Sequence, residues 1–300
     1  MKALASFILR GLSQAMLVAV GTAVLALILP PLSLMSGAAV ALVTLRKGAQ
    51  PGAIVMAGGT VLVAALAYLS LGNPLPGLVF LGVLWLPVWV LAWVLREFRS
   101  LSLATIASGG FGLAGVVLVY LLAGDITAWW QQELLLVFQP VIEAGGTLAD
   151  PEEVKTILAG LAKIMTGLAA AGMVLNALMC LFLARGWQAQ LFNPGGFRSE
   201  FHELRLGKAM AIATAIVIVV SMLPVDTLAQ FATEIMIVVL GLYIMQGLAL
   251  VHAIVARRNM HVAWLVGLYL VVMFVLPQLL ALVAVVGLID TWVDFRRRLV

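Results

Sequence analysis

The sequence predicts an all-α fold: a polytopic transmembrane helical bundle of about 8–10 spans, N-in and C-in, with an external amphipathic helical insert. Three observations predict it. The 300-residue chain is 64% hydrophobic and 10% charged, with mean hydropathy +1.17, outside the range of water-soluble domains. Several apolar runs approach or exceed the roughly 20 residues that a helix needs to cross a bilayer. The charged residues fall in short clusters between those runs.

The apolar runs are 12–29, 31–45, 53–71, 78–95, 103–123, 164–185, 209–224, 230–255, 261–275 and 278–294. With the N-terminus inside and every run crossing, only Lys155 and Lys163 fall outside, so 15 of the 17 basic residues lie on one face. Basic residues mark the cytoplasmic side, so the expected location is a bacterial cytoplasmic (inner) membrane, with both termini cytoplasmic. Ten crossings follow, or eight if the turns at Pro30-Pro31 and Pro277 stay within the membrane. The run near Leu12 follows Lys2 and Arg10 and reads as a first span rather than a cleaved signal. The single cysteine, Cys180, excludes an intrachain disulfide. The net charge of +4 reports orientation here and implies no nucleic-acid partner.

One integral membrane domain, 1–300, is expected, with two excursions. Residues 125–163 form the external insert. Trp130, Leu134, Val137, Phe138 and Val141 recur at helical spacing opposite Gln131, Gln132 and Glu133, the pattern of a helix lying on the outer surface. The AGGT stretch at 144–147 should end it. Asp150-Pro151-Glu152-Glu153 then starts another helix, with an N-cap, a proline at the first position and acids in the first turn. Residues 186–208 form a cytoplasmic loop. Its Asn193-Pro194-Gly195-Gly196 turn precedes an interfacial helix, with Phe197, Phe201 and Leu204 on one face and Arg198, Glu203 and Arg205 on others.

Small residues at Gly11, Ala15, Ala19 and Ala23 let another helix approach closely, either within this chain or from a separate membrane subunit. Ser108 and Gly112 repeat that pattern. The span after Pro30-Pro31 has 15 residues. At about 1.5 Å per residue it covers about 22 Å of an apolar core about 30 Å thick. It is therefore a plain hairpin or a broken span that marks a binding site around Ser33 and Ser36. Trp85, Trp89 and Trp93 form a stripe expected to pack or to face lipid rather than stack on a ligand.

Polar residues inside spans are costly and need partners. Asn176, Tyr243 and Gln246 sit mid-span as candidate ligand contacts or interhelical hydrogen bonders, with Glu234 near the outer mouth. His252 shares a helix face with Glu234, but about five turns separate them, roughly 27 Å, so they cannot form one catalytic pair. No HExxH, P-loop or GxSxG pattern and no metal-ligand spacing occurs. The chain is expected to be no enzyme and to carry no catalytic residues, metal or cofactor. At the C-terminus, Asp294 can pair with Arg297 or Arg298 along its own helix. Asp290 has no such partner and is expected to latch onto Arg46, Lys47 or Arg257 from an earlier element.

The stretches PPLSLMSGAAVALVTLRKG, NPGGFRSEFHELRLG, QGLALVHAIVARRNM and GLIDTWVDFRRRL together resemble the YybS-like family of bacterial multi-spanning membrane proteins. That family is similar in turn to the S subunits of energy-coupling-factor vitamin transporters. The resemblance implies a pocket opening outward and a docking stripe on the first helix, which Ala15, Ala19 and Ala23 could supply. The span count exceeds the six helices usual for S subunits, and no vitamin-specific pattern carries over.

Two functional expectations follow. One is a binding or transport module for a small-molecule or lipid-like ligand, its pocket lined by Ser33, Ser36, Asn176, Tyr243, Gln246 and Glu234. The other is a non-transporting scaffold or assembly factor acting through Arg198, Glu203 and the basic C-terminus.

Overall fold

The computed structural model describes residues 1–122, 124–143, 150–274 and 278–299. The expected break at 144–147, the side chain of Val141 and the Pro277 turn lie outside the described residues. The chain is 87% helical, with no strand among the described residues.

Helix α1 (Lys2–Arg10) meets α2 (Leu12–Leu25) at Gly11, and a 3-10 turn at Pro30–Leu32 leads into α3 (Ser33–Lys47) and α4 (Ala49–Leu71). Helix α5 (Leu75–Val79), a π-helical turn at Phe80–Trp85 and α6 (Leu86–Phe98) follow in one line, and then α7 (Leu101–Leu122). The insert holds α8 (Ile126–Glu143) and α9 (Pro151–Ala162). Next come α10 (Met165–Phe192), α11 (Gly196–His202), α12 (Gly207–Ser221), α13 (Asp226–Arg257), α14 (Ala263–Phe274) and α15 (Gln278–Val293).

Local chemistry sets the breaks. Gly48 turns α3 into α4 with φ 112°, a conformation that a side chain would strain. Pro87 lacks an N–H and its ring crowds the preceding turn, and the wider π turn lies immediately before it. Asp150 caps α9 by accepting from Glu152 N at 3.0 Å, as its sequence motif requires.

Helix α3 is the hub of one half. Every residue from Ser36 to Leu45 is buried, against α2, α4, α6 and α10. Ala15, Ala19 and Ala23 are fully buried in this contact, so the small-residue stripe is spent inside the chain. Ser36 Oγ donates to Ala19 O at 2.7 Å and accepts from Trp85 Nε1 at 2.9 Å. Trp89 Nε1 donates to Ala49 O at 2.9 Å, while Trp93 is exposed. In the other half, α13 packs on α15, α10, α12 and α7. A Cβ at Gly112 of α7 would lie 2.8 Å from Val174 Cγ2, which explains the small residue there.

The closest crossing joins α13 to α15. A Cβ on Gly287 would press on Tyr243 O and lie 2.8 Å from Gly247 N. A Cβ on Gly247 would strike the Val283 carbonyl. Backbones touch here, as in lipid-embedded bundles where packing holds helices together.

Among the described residues five helices are long and apolar enough to cross a membrane: Ala49–Leu71, Leu75–Phe98, Leu101–Leu122, Met165–Phe192 and Asp226–Arg257. The bent pair α11 and α12, at 49°, makes a sixth if taken as one span. Helix α2, most of α14 and α15 are shorter apolar helices. Large apolar side chains such as Leu17, Leu69 and Leu121 are exposed on these helices, as lipid contact requires. Met1 borders the same cavity as His202, and Arg296 donates to His202 O at 2.8 Å. Both termini therefore meet the 186–208 loop at one end of the bundle, here the basic end.

The insert departs from its expected form. Trp130 and Leu134 pack on Leu158 and Ala162 of α9, while Val137 is 70% exposed. Trp130 Nε1 donates to Thr166 Oγ1 at 2.9 Å, tying the insert to the first turn of α10. The apolar face of α8 is thus divided between a partner helix and the surroundings.

Replacing Gly247 or Gly287 with alanine is expected to cost about 1–3 kcal/mol through overpacking. Thermal unfolding in detergent should show it, and Gly172→Ala, where the added methyl meets open space, should leave the midpoint unchanged.

Candidate functional site at the basic end

The residues expected to line an outward pocket do not converge. Ser33 Oγ donates to Pro30 O at 2.7 Å, and Ser36 is sealed between α2 and the π-helical turn. Gln246 is wholly engaged: its Oε1 accepts from Leu206 N at 2.8 Å, and its Nε2 donates to Gly287 O at 2.6 Å and Thr291 Oγ1 at 3.1 Å. Tyr243 is fully buried beside that crossing. Asn176 is half-buried, its Oδ1 4.0 Å from Cys180 Sγ. Ser36 and Gln246 join separate elements, while Ser33 and Asn176 meet groups of their own stretch of chain. Polar side chains in a bundle core find backbone partners whether or not a ligand exists, and the sequence does not distinguish the two cases.

A different cavity, of about 480 Å³, opens at the basic end. Met179, Phe182, Leu183 and Trp187 of α10 form one wall, and Met245, Leu248 and His252 of α13 another. Helix α11 and Tyr269 of α14 complete it. Its aromatic groups run edge to edge: Phe182–Phe201 at 5.6 Å, Phe201–His252 at 5.5 Å and His252–Tyr269 at 5.9 Å between centroids. A second recess of about 450 Å³, walled by Val255, Met260, Val262 and Leu265, shares Arg198, His202 and His252 with the first. Among the described residues the cationic and imidazole side chains of both spaces therefore stand where the two meet.

The electrostatics at this junction are positive. His252 Nδ1 lies 2.8 Å from Leu248 O; a carbonyl only accepts, so Nδ1 carries a proton there, and Nε2 lies 3.5 Å from the Tyr269 hydroxyl. Burial holds the His202 imidazole below 6.5, and the charges of Arg198, His252, Arg296 and Arg257 push the same way. Among the described residues no group of three or more His, Cys, Asp or Glu could hold a metal ion.

An acid–base knot anchors this end. The chain leaves α15 at Asp294 in a left-handed turn, φ 50°, which swings Arg296 back beneath Asp290. Asp290 Oδ1 accepts from Phe295 N at 3.1 Å, and Oδ2 lies 3.4 Å from Arg296 Nη2, both side chains being at most 1% exposed. That pair is a contact of charges without a well-aligned hydrogen bond. Arg257 Nη1 donates to Arg296 O at 2.6 Å. Asp294 pairs with Arg297 Nε at 2.9 Å, through the turn that follows α15 rather than along the helix as expected, and also with Arg205 Nη2 at 2.7 Å. Arg205 holds the Asp294 carboxyl below its ordinary range, while burial pulls Arg296 down against the pull of Asp290.

The expected cations for Asp290 need correction. Arg46 and Lys47 are exposed, and Arg46 stands 4.0 Å over the Phe192 ring. Arg257 joins the knot, but through Arg296 O rather than Asp290. The partner is Arg296, hidden from helical spacing because the helix stops before reaching it. Of the two loop charges expected to dock a partner, Arg198 borders the cavity and Glu203 is exposed.

A wholly helical bundle with apolar outward faces and a basic, cavity-bearing end defines a polytopic integral membrane protein. The chain belongs to the family described as predicted membrane protein (DUF2232), whose model matches residues 15–291. None of the curated proteins and none of the solved structures matches it.

Asp290→Ala strands the buried Arg296 and should cost about 3–5 kcal/mol, readable by denaturant titration in micelles. Asp290→Leu with Arg296→Met should recover most of that loss. The pH dependence of His202 has a fixed sign. Its folded-state value lies below 6.5, so the unfolded chain binds more protons as pH falls through that value. Stability present above pH 6.5 is therefore lost below it, and His202→Gln should flatten that slope in thermal scans.

Proposed function

We propose that the protein binds an anionic amphiphile drawn from the cytoplasmic leaflet of a bacterial inner membrane. The observation that carries this reading is the placement of Arg198, His202 and His252 where two apolar recesses meet. A charged head held at that junction would leave apolar tails in the recesses, each group in the surroundings it favours. The basic residues orient this end toward the cytoplasm, with both termini inside.

The reading is of a binding or transport module, not an enzyme. It keeps company with the resemblance to YybS-like proteins and S subunits, with one departure: the ligand approaches from the basic end rather than from outside. With no nucleotide-binding motif in the sequence, any work would draw on a partner ATPase or an ion gradient. The buried alanines of α2 do not offer a docking stripe, so a partner would meet another surface. The scaffold reading keeps one supporting observation, the exposed Glu203 beside the cavity mouth.

Protein purified in native-lipid discs should retain anionic lipid above its bulk fraction, measured by mass spectrometry of the extracted lipids. Arg198→Ala should weaken binding of an anionic lipid by about tenfold or more, the size of one charged hydrogen bond. Equal retention of zwitterionic and anionic lipids would remove the basis for this function.

A further inference from the structure

At the opposite end of α13 from His252, Glu234 is fully enclosed, with 0% exposure, and neither carboxylate oxygen has a hydrogen-bond partner. No Lys, Arg or His forms an ion pair with it among the described residues, where every other buried acid has one. A carboxylate with no ion pair and no well-formed hydrogen bond is among the most costly groups to hold inside a membrane protein.

Its surroundings are oxygen-rich and closed. The hydroxyls of Tyr120 from α7 and Thr166 from α10 face it. The Tyr120 hydroxyl is itself buried without a partner, its ring set edge-on to Phe231 at 5.0 Å. Thr166 Oγ1 already accepts from Trp130 Nε1 at 2.9 Å, which fixes its position and leaves its proton or second lone pair for the enclosure. Gly167 lets α10 close on α13: a Cβ there would lie 2.7 Å from Glu234 Cα. Toward the outer mouth, Gln230 Nε2 donates to Thr127 Oγ1 at 3.0 Å and Lys163 O at 3.3 Å, one turn from Glu234.

We infer that Glu234, Tyr120 and Thr166 form a binding site for one small monovalent cation, reached from the end that carries the insert. The shared chemistry is the neutralisation of a lone enclosed carboxylate among hydroxyl oxygens, and the cation is either a proton or a sodium ion. No divalent ion is called for, because a single acid contributes charge. Among the groups facing the site, Tyr120 is the one other titratable side chain. Helices α8 and α10 contribute Trp130 and Thr166, which do not ionise, and the ammonium of Lys163 stands exposed at the mouth. The site does not rest on the amphiphile reading, and Trp130 makes the insert part of it.

The test measures thermal unfolding of detergent-purified protein in two arms. One exchanges sodium chloride for choline chloride at constant ionic strength; the other varies pH from mildly acidic to mildly alkaline in choline. A sodium site gives a midpoint shift of about 2–4 °C on saturation, lost in Glu234→Gln. A proton site gives a sodium-independent pH response that Glu234→Gln removes, with loss of a carboxyl stretching band in the infrared difference spectrum. Both outcomes support the site and tell its occupants apart. Wild-type protein that responds to neither more than Glu234→Gln does would overturn it. If that variant does not fold, Tyr120→Phe and Thr166→Val should each move the half-saturating sodium concentration or the pH midpoint. An unchanged response in both would likewise overturn the site.

Discussion

The touching backbones of α13 and α15 set the geometry of everything at the basic end. Because neither Gly247 nor Gly287 carries a side chain, Gln246 comes close enough to donate to Gly287 O while accepting from Leu206 N. One amide thus fixes two helices and the start of α12. About one turn beyond Gly287, Asp290 faces the interior, and the left-handed turn at Asp294 returns Arg296 to it. Arg296 then reaches His202 O, the last residue of α11. The position of the cavity's covering helix descends, contact by contact, from a place where a methyl group does not fit.

Within lipid, apolar burial does not discriminate between helix faces, so close contact and polar satisfaction must. The two halves solve this differently. Around α3 the devices are buried alanines with Ser36 and Trp85, a dry contact with one hydroxyl link. Around α13 they are glycines with Gln246, Asp290 and Arg296. Leaving any of these buried groups without its partner costs about 1–3 kcal/mol, and more for the charged ones. Glu234 is the buried acid among the described residues that forms no ion pair, the observation on which the proposed cation site rests.

The features legible in the sequence were those set by local rules. The Asp150 cap and the Asp294–Arg297 pair follow from spacings of two or three residues, and the structure has both. The all-helical class follows from composition. Partnerships across the chain were not legible. Helical spacing assigned Asp290 no local partner, because Asp294 ends the helix and brings a residue six positions on into contact. Mid-span polarity marked Gln246 as a group that needs a partner, but a backbone partner and a ligand leave the same trace in sequence. The cavity was missed because its aromatic residues are scattered over α10, α11, α13 and α14, and only Arg198 stood out on its own. Its signal was the pairing of Phe201 with His252, visible only once α11 folds over α13.

The way the proposed amphiphile would reach the basic-end cavity follows from which walls are fixed. Helix α11 is tied at both ends: Glu200 pairs with Arg185 of α10, and His202 O accepts from Arg296. Lifting it breaks a charged pair and frees a buried arginine, so it is a poor lid. Helices α10 and α13 pass through the centre of the bundle and cannot part without opening it. Helix α14 differs, with its main contacts restricted to α13 and α15 and much of its surface exposed. Its one polar tie at the cavity is the 3.5 Å approach of Tyr269 to His252. The wall that yields at least cost is the one facing lipid, so an amphiphile would enter sideways past α14, head group toward Arg198, without first passing through water.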